Sequence, residues 1–414
     1  MLAQSGFAGG GSISGQYRQP CIPQGGVQEF RCPELHCRVQ EQGCRHQGGI
    51  PALRELPSLT FIPGIPGIPG RKSVIFDYFI IRMTFHGWNN LIVPYGQGRA
   101  VAAIAPVIVS ASRVTDIPSC YADWFMNRLR AGYVRWTNPF NPKQVSLVSF
   151  RHTRALVFWS KNPAPMLPHL RELDATGIGY YFQFTLNDYE PDGLEPGLPP
   201  LAERVDTFRR FADTIGPERV VWRFDPLILT GTLTVDLLLD RIALLAGLLR
   251  GYTETLVFSF VDIDRYRKVH RRLSRYPSGA REFQSEEMAR FASGLVGMNH
   301  AWRFSLATCA EEQQLEGIAH NRCIDGALLA RLFGGDRELA AFLGLNGGLF
   351  GTEPHWERLR HQGQREACGC IVSKDIGAYS TCAHRCAYCY ANGRDETVMQ
   401  NCLSHDPAAD RLAP

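Results

Sequence analysis

Apolar runs that alternate with helical stretches constrain the fold of this chain most strongly. Six such runs occupy 107–113, 155–163, 179–187, 219–229, 255–262 and 301–311. Continuous apolar strands separated by helices indicate a parallel sheet that is covered on both faces. This number of units predicts an α/β fold, a complete or partial (β/α) barrel with parallel strands, with a doubly wound open sheet as the alternative.

Polar and charged residues collect where these runs end. The carboxyl ends of parallel strands share one rim of a barrel, and barrel enzymes place their chemistry there, so the rim is the predicted site. The residues are Arg113 and Asp116, Ser160 and Lys161, Thr185 and Asn187, Arg223 and Asp225, Asp262 and Asp264, and Cys309 and Glu311.

The composition changes along the chain and predicts four parts. Residues 1–105 are rich in Gly and Pro and are predicted to be a leader that is disordered or not native. The predicted barrel body is 106–367, a cysteine-rich segment over 368–394 completes the barrel, and 395–414 is a polar tail. The leader contains Cys21, Cys32, Cys37 and Cys44, which lack the usual spacing of zinc ligands.

Charge and cysteine content narrow the class of protein. A net charge of +4 neither demands nor excludes nucleic acid. No apolar run reaches the ~20 residues that cross a bilayer, and no export signal follows Met1, which predicts a cytoplasmic protein without a membrane partner. Thirteen cysteines cannot all pair as disulfides. Their crowding into the last quarter of the chain indicates metal or cluster binding.

One stretch, "STCAHRCAYCYAN" (380–392, here the cysteine loop), sets Cys382, Cys386 and Cys389 at C-x3-C-x2-C. Three thiolates on one short loop suit a [4Fe–4S] cluster, because they leave one of the four irons without a protein ligand. The alternative is zinc, bound by the same three cysteines together with Cys368, Cys370 or His384. His384 is predicted to be a loop residue rather than a ligand.

This spacing, with Tyr388 just before the third cysteine, resembles the signature of radical S-adenosylmethionine (SAM) enzymes. In such enzymes the open iron chelates SAM, and one electron breaks the sulfonium bond to give a radical that abstracts hydrogen. The resemblance implies a [4Fe–4S] cluster and SAM as cofactors. It also implies an electron donor such as flavodoxin or ferredoxin. It assigns neither the catalytic residues nor the substrate.

The chain from about 107 onward also resembles a bacterial family described only as a domain of unknown function, which carries a C-terminal cysteine cluster of this kind. The matching stretches are "IVSASRVTDIP", "WFMNRLRAGY", "NPFNPKQVS", "VFWSKNPAPMLP", "FQFTL", "CGCIVSKDIGAYSTC" and "CAYCYAN". Val114 departs from the family, which more often has a second arginine beside Arg113.

A fainter likeness joins 182–228 to the middle of spore photoproduct lyase and its radical relatives. The shared features are a strand, a loop that contains Glu-Pro (194–200, here the E-P loop), a helix that contains Glu-Arg (201–216) and a strand that ends in x-P. In those enzymes the cysteines precede this region, whereas here they follow it. The likeness therefore implies a circularly permuted barrel, in which 370–377 is the strand that leads into the cysteine loop.

Several roles follow from these resemblances. Cys382, Cys386 and Cys389 would ligate the cluster, and Tyr388 would lie on the adenine side of SAM. Lys161 would approach the methionine carboxylate. The other implied cofactor contacts are Thr185, Asp225 and, as a carboxylate or phosphate clamp, Arg223.

The remaining cysteines and one basic run allow two interpretations each. Cys309, Cys323, Cys368 and Cys370 are predicted to hold a second cluster or zinc, or else to be buried free thiols; Cys402 is predicted to bind nothing. The run "RYRKVHRRLSRY" (265–276) would bind a phosphate backbone or, more plainly, form a solvated helix face.

The leading hypothesis is a radical SAM-type lyase or transferase that acts on an unknown substrate, with nucleic acid as one candidate. The alternative is a non-catalytic nucleic-acid-binding module that iron–sulfur or zinc stabilises. A third hypothesis is a barrel hydrolase or lyase that binds a divalent metal through Asp116, Asp225 and Asp262.

Overall fold

The computed structural model describes residues 81–85, 88–96, 99–345, 356–361, 364–365 and 367–413. All of these belong to the second of two units, Val74–Pro414. The prediction for the leader over 1–80, including its four cysteines, lies outside the described residues.

The strands are β1 (Ile81–Phe85), β2 (Trp88–Tyr95), β3 (Arg99–Ala105), β4 (Ile108–Ala111), β5 (Tyr133–Asn138), β6 (Asn141–Ser149), β7 (Ala155–Ser160), β8 (Gly179–Thr185), β9 (Val220–Leu227), β10 (Leu229–Thr230), β11 (Thr255–Phe260), β12 (Ala280–Arg281), β13 (Ser305–Cys309), β14 (Ala319–Asn321) and β15 (Lys374–Asp375). The helices are α1 (Ile117–Cys120), α2 (Ala122–Ala131), α3 (Leu170–Ala175), α4 (Leu201–Ile215), α5 (Val235–Leu249), α6 (Arg267–Leu273), α7 (Ser285–Asn299), α8 (Gly326–Phe333), α9 (Arg337–Leu343) and α10 (Asp395–Leu403). Short 3₁₀ helices occupy Ala164–His169, Pro217–Arg219 and Trp356–Leu359. In the described part of the chain, no helix has both the length and the hydropathy needed to cross a membrane.

Eight strands form one parallel sheet in the order β14-β13-β11-β9-β8-β7-β4-β15. This sheet is compatible with a partial (β/α) barrel, so the predicted α/β class and the parallel pairing are confirmed. All six apolar runs contain a strand of this sheet. The predicted strand over 370–377 is also present as β15, which pairs in parallel with β4 at one end of the sheet.

Both faces of the parallel sheet are buried. Successive side chains of a strand point to opposite faces. One face packs on α2, α4, α5 and α7; its residues include Phe158, Phe182, Trp222 and Phe258. The other face packs on α8 and α9; its residues include Val157, Tyr181, Val221 and Val257. Burial on both sides explains why these strands are apolar throughout rather than alternating.

A second sheet was not predicted. It has the order β1-β2-β3-β6-β5, and its pairings are antiparallel except for β3 with β6. Regular structure therefore begins before Pro106, since β1, β2 and β3 lie within 81–105. The first five residues of β6 are exposed. The exposed end of β6 therefore lacks the apolar pattern by which a strand is recognised in a sequence.

The predicted polar tail is structured over 395–413. It begins with α10, and the residues after that helix pack against α2. Trp124 Nε1 donates to the Ala409 carbonyl at 3.0 Å. Arg135 forms an ion pair with Asp410 at 3.0 Å, and Leu412 is buried. These contacts join the segment after the cysteine loop to the body of the fold.

Lys374 on β15 is a buried lysine with aromatic neighbours. Its Nζ lies 2.9 Å from the centroid of the Trp136 ring and 5.9 Å from that of Trp88. Burial lowers the pKa of Lys374 to about 7, and the neighbouring Asp375 carboxylate opposes that shift. The faces of aromatic rings stabilise an ammonium group less than water does, so these neighbours offset only part of the cost of burying the charge.

The pKa of Lys374 makes folding stability depend on pH. In the unfolded chain a lysine keeps its proton up to about pH 10.4, whereas folded Lys374 releases it above about pH 7. The unfolded state binds more protons in this window, so the free energy of unfolding should rise with pH by up to ~1.4 kcal/mol per unit. Lys374→Met should remove this contribution. Urea unfolding of wild type and variant at about pH 7.5 and about pH 9.5 measures it.

The exposed Lys143 provides the matched control. Lys143→Met should give a pH dependence parallel to that of the wild type. Parallel curves for Lys374→Met as well would contradict the burial of a neutral lysine amine at that position.

Candidate metal centre

The cysteine loop follows β15 and lies where β4, β7, β8 and β9 end. Side chains that follow these strands contact the loop or one another. Asp116 follows β4, Lys161 follows β7, Asn187 follows β8, and Asp225 lies near the end of β9. The predicted convergence of polar residues at this rim is therefore present around the loop.

The three cysteines of the loop lie within electrostatic range of one another. Burial raises the pKa of Cys386, the Lys161 ammonium opposes that shift, and Glu195, Cys382 and Cys389 add to it. Burial also raises the pKa of Cys389, to which Cys382 adds. The backbone N–H of Asn392 donates to Cys389 Sγ at 3.3 Å. Three potential metal ligands thus lie on one loop near one ammonium group, although their sulfurs are not all within 4.8 Å of one another.

A buried carboxylate anchors the loop to the sheet. Asp116 accepts hydrogen bonds from Ser160 Oγ at 2.7 Å, from the backbone N–H of Lys161 at 2.7 Å and from that of Ser119 at 3.0 Å. Its Oδ2 also lies 2.7 Å from His384 Nε2. Asp116 therefore links the ends of β4 and β7 to the middle of the cysteine loop.

Asp116 and His384 form a charged pair. Burial opposes ionisation of Asp116, but His384 and the hydrogen-bond donors outweigh it and lower the pKa of the carboxyl group. Burial also opposes the charge on His384, but Cys382 and Asp116 raise the pKa of the imidazole to about 9. A buried pair of this kind holds its partners firmly, because separating them leaves an uncompensated charge.

Cys120 and His384 add two potential ligands beside Cys382. The ligand atoms of these three residues lie within 4.8 Å of one another, and they are the one such group of three among the described residues. The prediction that His384 is merely a loop residue misses this proximity. Cys120 was not predicted as a site residue, since it is an isolated cysteine in the sequence.

Two predicted cofactor contacts, Lys161 and Tyr388, meet in a polar network. Lys161 Nζ lies 2.8 Å from Glu195 Oε1 and 2.9 Å from the Tyr388 hydroxyl. Tyr388 also donates to Glu195 Oε1. Asn187 Nδ2 donates to the same oxygen at 3.0 Å and to the Tyr388 hydroxyl at 3.2 Å. Asn187 was predicted as a residue of the rim but not as a cofactor contact. Glu195 was not predicted as a site residue, although the E-P loop that carries it is visible in the sequence.

The second carboxylate oxygen of Glu195 is buried without a hydrogen bond. Arg204 lies near it, with Nη1 3.8 Å from Oε2. Arg204 instead donates to the Asn187 carbonyl at 3.0 Å. Burial opposes ionisation of Glu195, but Lys161 and Arg204 outweigh it and lower the pKa of the carboxyl group.

Asn187 also connects this network to the other predicted contacts. Its Oδ1 accepts from the backbone N–H of Asp225 at 2.9 Å, and its Nδ2 donates to the Asp225 carbonyl at 3.1 Å. The Arg223 guanidinium binds the Asp225 carboxylate at 2.5 Å, and Ser259 donates to that carboxylate as well. Thr185 pairs in register with Arg223. The five residues predicted to contact the cofactor are therefore neighbours in one connected set.

The three aspartates of the hydrolase hypothesis do not share a site. Asp116 binds His384, Asp225 binds Arg223, and Asp262 pairs with Arg365 at 2.5 Å. Among the described residues they form no common group of metal ligands. The structure therefore gives the divalent-metal hypothesis no support.

The basic run 265–276 lies against the end of the cysteine loop. Arg272 on α6 donates to the Cys389 carbonyl at 2.9 Å and to the Gly393 carbonyl. Tyr266 stacks on Tyr390 with ring centroids 5.5 Å apart. The other cations of the run are exposed, as the solvated-face interpretation predicts; they are Arg265, Arg267, Lys268, Arg271 and Arg275.

Close backbone contact joins the cysteine loop to the E-P loop. The N–H of Gly197 donates to the His384 carbonyl at 3.0 Å, and that of Ala387 donates to the Leu194 carbonyl at 2.9 Å. A Cβ atom on Gly197 would lie 2.6 Å from the Ala383 carbonyl oxygen and 2.7 Å from that of His384. Glycine is therefore required at this contact.

Gly197→Ala should force the two loops apart and lower the free energy of unfolding by about 1–3 kcal/mol. Gly247→Ala in α5 is the control, because nothing lies within 4 Å of its added Cβ. That change should instead stabilise the helix by about 0.5–1 kcal/mol. Urea unfolding compares the two variants, and equal stabilities would contradict close contact between the loops as the reason for Gly197.

A family model described as a domain of unknown function (DUF1848) matches residues 108–391. The match begins at the first residue of β4 and ends within the cysteine loop, so it covers the parallel sheet and all three cysteines of the loop. The predicted resemblance to an uncharacterised family is confirmed. No curated protein and no solved structure matches the chain.

Proposed function

The chain belongs to the DUF1848 family, and we propose that it is a radical SAM-type enzyme whose [4Fe–4S] cluster is held by Cys382, Cys386 and Cys389. The observation that carries this proposal is the position of the three thiols. They lie on one loop at the carboxyl edge of a parallel sheet, where such folds place their chemistry. Lys161 lies close enough for its charge to act on the Cys386 thiol.

The residues around the loop fit the cluster and SAM in two respects. Three thiolates leave one iron of a [4Fe–4S] cluster free to bind a second ligand. Glu195 Oε2 and Asn392 Oδ1 are two of the four buried side-chain atoms in the described part of the chain that lack a hydrogen bond. Native proteins rarely leave such acceptors unsatisfied, and a ligand that carries N–H donors, as SAM does, would satisfy them.

When bound, the cluster would supply the electron for reductive cleavage of SAM and thereby a radical that takes hydrogen from the substrate. The chain's own residues would orient the cofactor. An ammonium group has three N–H donors, and Lys161 uses two of them on Glu195 and Tyr388. The third is available to a carboxylate such as that of the methionine moiety. Asn187 would keep the network aligned with Asp225 and Arg223.

The strand order supports a circularly permuted barrel. β15 pairs with β4 at one end of the parallel sheet and leads directly into the cysteine loop. It would take the place that the first strand has in radical SAM barrels, whose cysteines follow that strand. The chain would thus reach the same arrangement with its cysteine-bearing strand last.

Anaerobic reconstitution with iron and sulfide tests the proposal. Dithionite replaces the natural donor, such as flavodoxin or ferredoxin, and 5′-deoxyadenosine is quantified after SAM is added. The proposal predicts deoxyadenosine formation that depends on the cluster, on reductant and on SAM. A fully reconstituted cluster that produces none would reject the enzymatic function.

The exposed cations of α6 favour a second candidate, a non-catalytic nucleic-acid-binding module stabilised by zinc or an iron–sulfur cluster. Arg272 ties this helix to the cysteine loop, so a bound phosphate backbone would lie beside the centre. The Cys120, Cys382 and His384 group would then hold zinc, a metal that binds thiolate and imidazole.

The salt dependence of nucleic-acid affinity measures how much the exposed cations of α6 contribute to binding. Affinity for single-stranded DNA or RNA should fall with salt with a slope of about 0.7 for each phosphate contact. The triple change Arg267→Ala, Lys268→Ala and Arg271→Ala should lower that slope by about 2 if all three contact phosphates. An unchanged slope would exclude α6 as the binding surface. Zinc that is lost on Cys382→Ala, without deoxyadenosine formation by the wild type, would favour the module over the enzyme.

A further inference from the structure

Four cysteines far apart in the sequence meet on the face of the parallel sheet that packs on α8 and α9. Cys309 ends β13, Cys323 follows β14, and the C-x-C pair Cys368 and Cys370 precedes β15. The Sγ atoms of Cys309 and Cys323 lie 3.2 Å apart. The backbone N–H of Ile324, the residue after Cys323, lies 3.4 Å from Cys370 Sγ, and Cys368 is two residues before Cys370. The four thiols are therefore neighbours, here called the interior thiol group, although no three of their sulfurs lie within 4.8 Å of one another.

Hydrogen-bond donors point at these sulfurs. Arg223 Nη1 lies 3.2 Å from Cys323 Sγ. The backbone N–H of Ile324 lies 3.4 Å from Cys370 Sγ. Such N–H donors stabilise thiolates more than neutral thiols and are a recurring feature around metal-bound sulfur.

Two arginines border the interior thiol group. Arg113 lies within electrostatic range of Cys370, Cys323 and Cys368, and also of Asp375. The Arg223 guanidinium has only the Asp225 carboxylate as an acidic partner in a salt bridge among the described residues. Thiolates around a metal carry net negative charge, which these two cations would help to compensate.

We propose that Cys309, Cys323, Cys368 and Cys370 hold a second metal centre of the four-thiolate type that binds zinc or an iron–sulfur cluster. Four sulfur ligands are typical of these two occupants. This inference goes beyond the proposed function and does not depend on it, because none of the four cysteines belongs to the cysteine loop.

The centre would have a positioning role. Three residues separate Cys370 from β15, and β15 leads into the cysteine loop. A metal held by Cys368 and Cys370 on one side and by Cys309 and Cys323 on the other would tie the carboxyl ends of β13 and β14 to that strand. The short strand β15 pairs with β4 through two residues, so a second attachment would fix its place at the sheet end.

The test separates the two centres by substitution. Protein with Cys382→Ala, Cys386→Ala and Cys389→Ala is purified without oxygen, and its zinc, iron and acid-labile sulfide are measured. The proposal predicts one zinc per chain, or iron with matching sulfide, in this triple variant; which of the two is found identifies the occupant. Adding Cys368→Ser and Cys370→Ser should abolish that metal. Cys402→Ser, which removes a thiol outside both groups, should leave it unchanged.

If Cys368→Ser and Cys370→Ser prevent folding, X-ray absorption spectroscopy of the triple alanine variant still identifies the ligands of its metal. Four sulfur neighbours at the metal, at ~2.3 Å if it is zinc, would support the proposal. A triple variant without metal would overturn it. A disulfide between Cys309 and Cys323 in the native protein, detected by mass spectrometry, would overturn it as well. Neither result bears on deoxyadenosine formation by the wild type.

Discussion

Replacing Cys382, Cys386 and Cys389 together by alanine should reduce 5′-deoxyadenosine formation to the level without protein. The three thiolates are the proposed protein ligands of the cluster, and without them no open iron is available to SAM. The iron and acid-labile sulfide bound per chain should fall by the amounts that one [4Fe–4S] cluster contains. Liquid chromatography of the quenched reaction and metal analysis of the same preparation measure both quantities.

Cys402→Ala is the matched control for this change. Cys402 lies on α10, and its Sγ is 3.4 Å from the Thr381 carbonyl, so it borders the loop without belonging to the proposed ligand set. This variant should keep both the cluster and the activity. Deoxyadenosine formation that survives the triple substitution would mean that the cysteine loop does not carry the chemistry.

Lys161→Met should destabilise the protein by about 3–5 kcal/mol and also abolish binding of SAM. The change leaves the buried Glu195 carboxylate without the cation that lies 2.8 Å from it, and an uncompensated buried charge is costly. Loss of the remaining ammonium donor removes the proposed contact with the methionine carboxylate. Urea unfolding measures the first effect, and equilibrium binding of SAM to the reconstituted protein measures the second.

The double variant Lys161→Met, Glu195→Gln separates these two roles. Neutralising Glu195 removes the unpaired charge, so most of the stability should return. SAM binding should remain lost, because the ammonium is still missing. Recovery of both properties would show that Lys161 only supports the structure. Stability that fails to recover would contradict the assignment of Glu195 as its charge partner.

The parallel sheet could be predicted from sequence because its strands are buried on both faces. Val157 and Phe158 on β7 point to opposite sides, yet both are fully buried, so the strand is apolar throughout and easily recognised. The exposed end of β6 has no such pattern, and β1, β2 and β3 lie within the segment that was predicted from its Gly and Pro content to be a leader. The second sheet was missed for these two reasons. The contacts that order 405–412 against α2 were missed for a similar reason, since several of them use backbone carbonyls.

The candidate site was predicted in part for comparable reasons. Cys382, Cys386 and Cys389 are recognisable because one loop carries all three at fixed spacing. Glu195 and Cys120 reach the site through tertiary packing, and nothing in their local sequence distinguishes them from a loop carboxylate and a core thiol. The meeting of Cys309 with Cys370 also depends on the strand order, which places β13, β14 and the segment before β15 together.

Electron paramagnetic resonance of the reduced, reconstituted protein tests most directly whether the cysteine loop holds a cluster with an open iron. The spectrum of the triple cysteine variant is subtracted from that of the wild type, with and without SAM. We predict a reduced [4Fe–4S] signal in the difference spectrum that changes when SAM is added. No difference signal, or one that SAM leaves unaltered, would contradict the account.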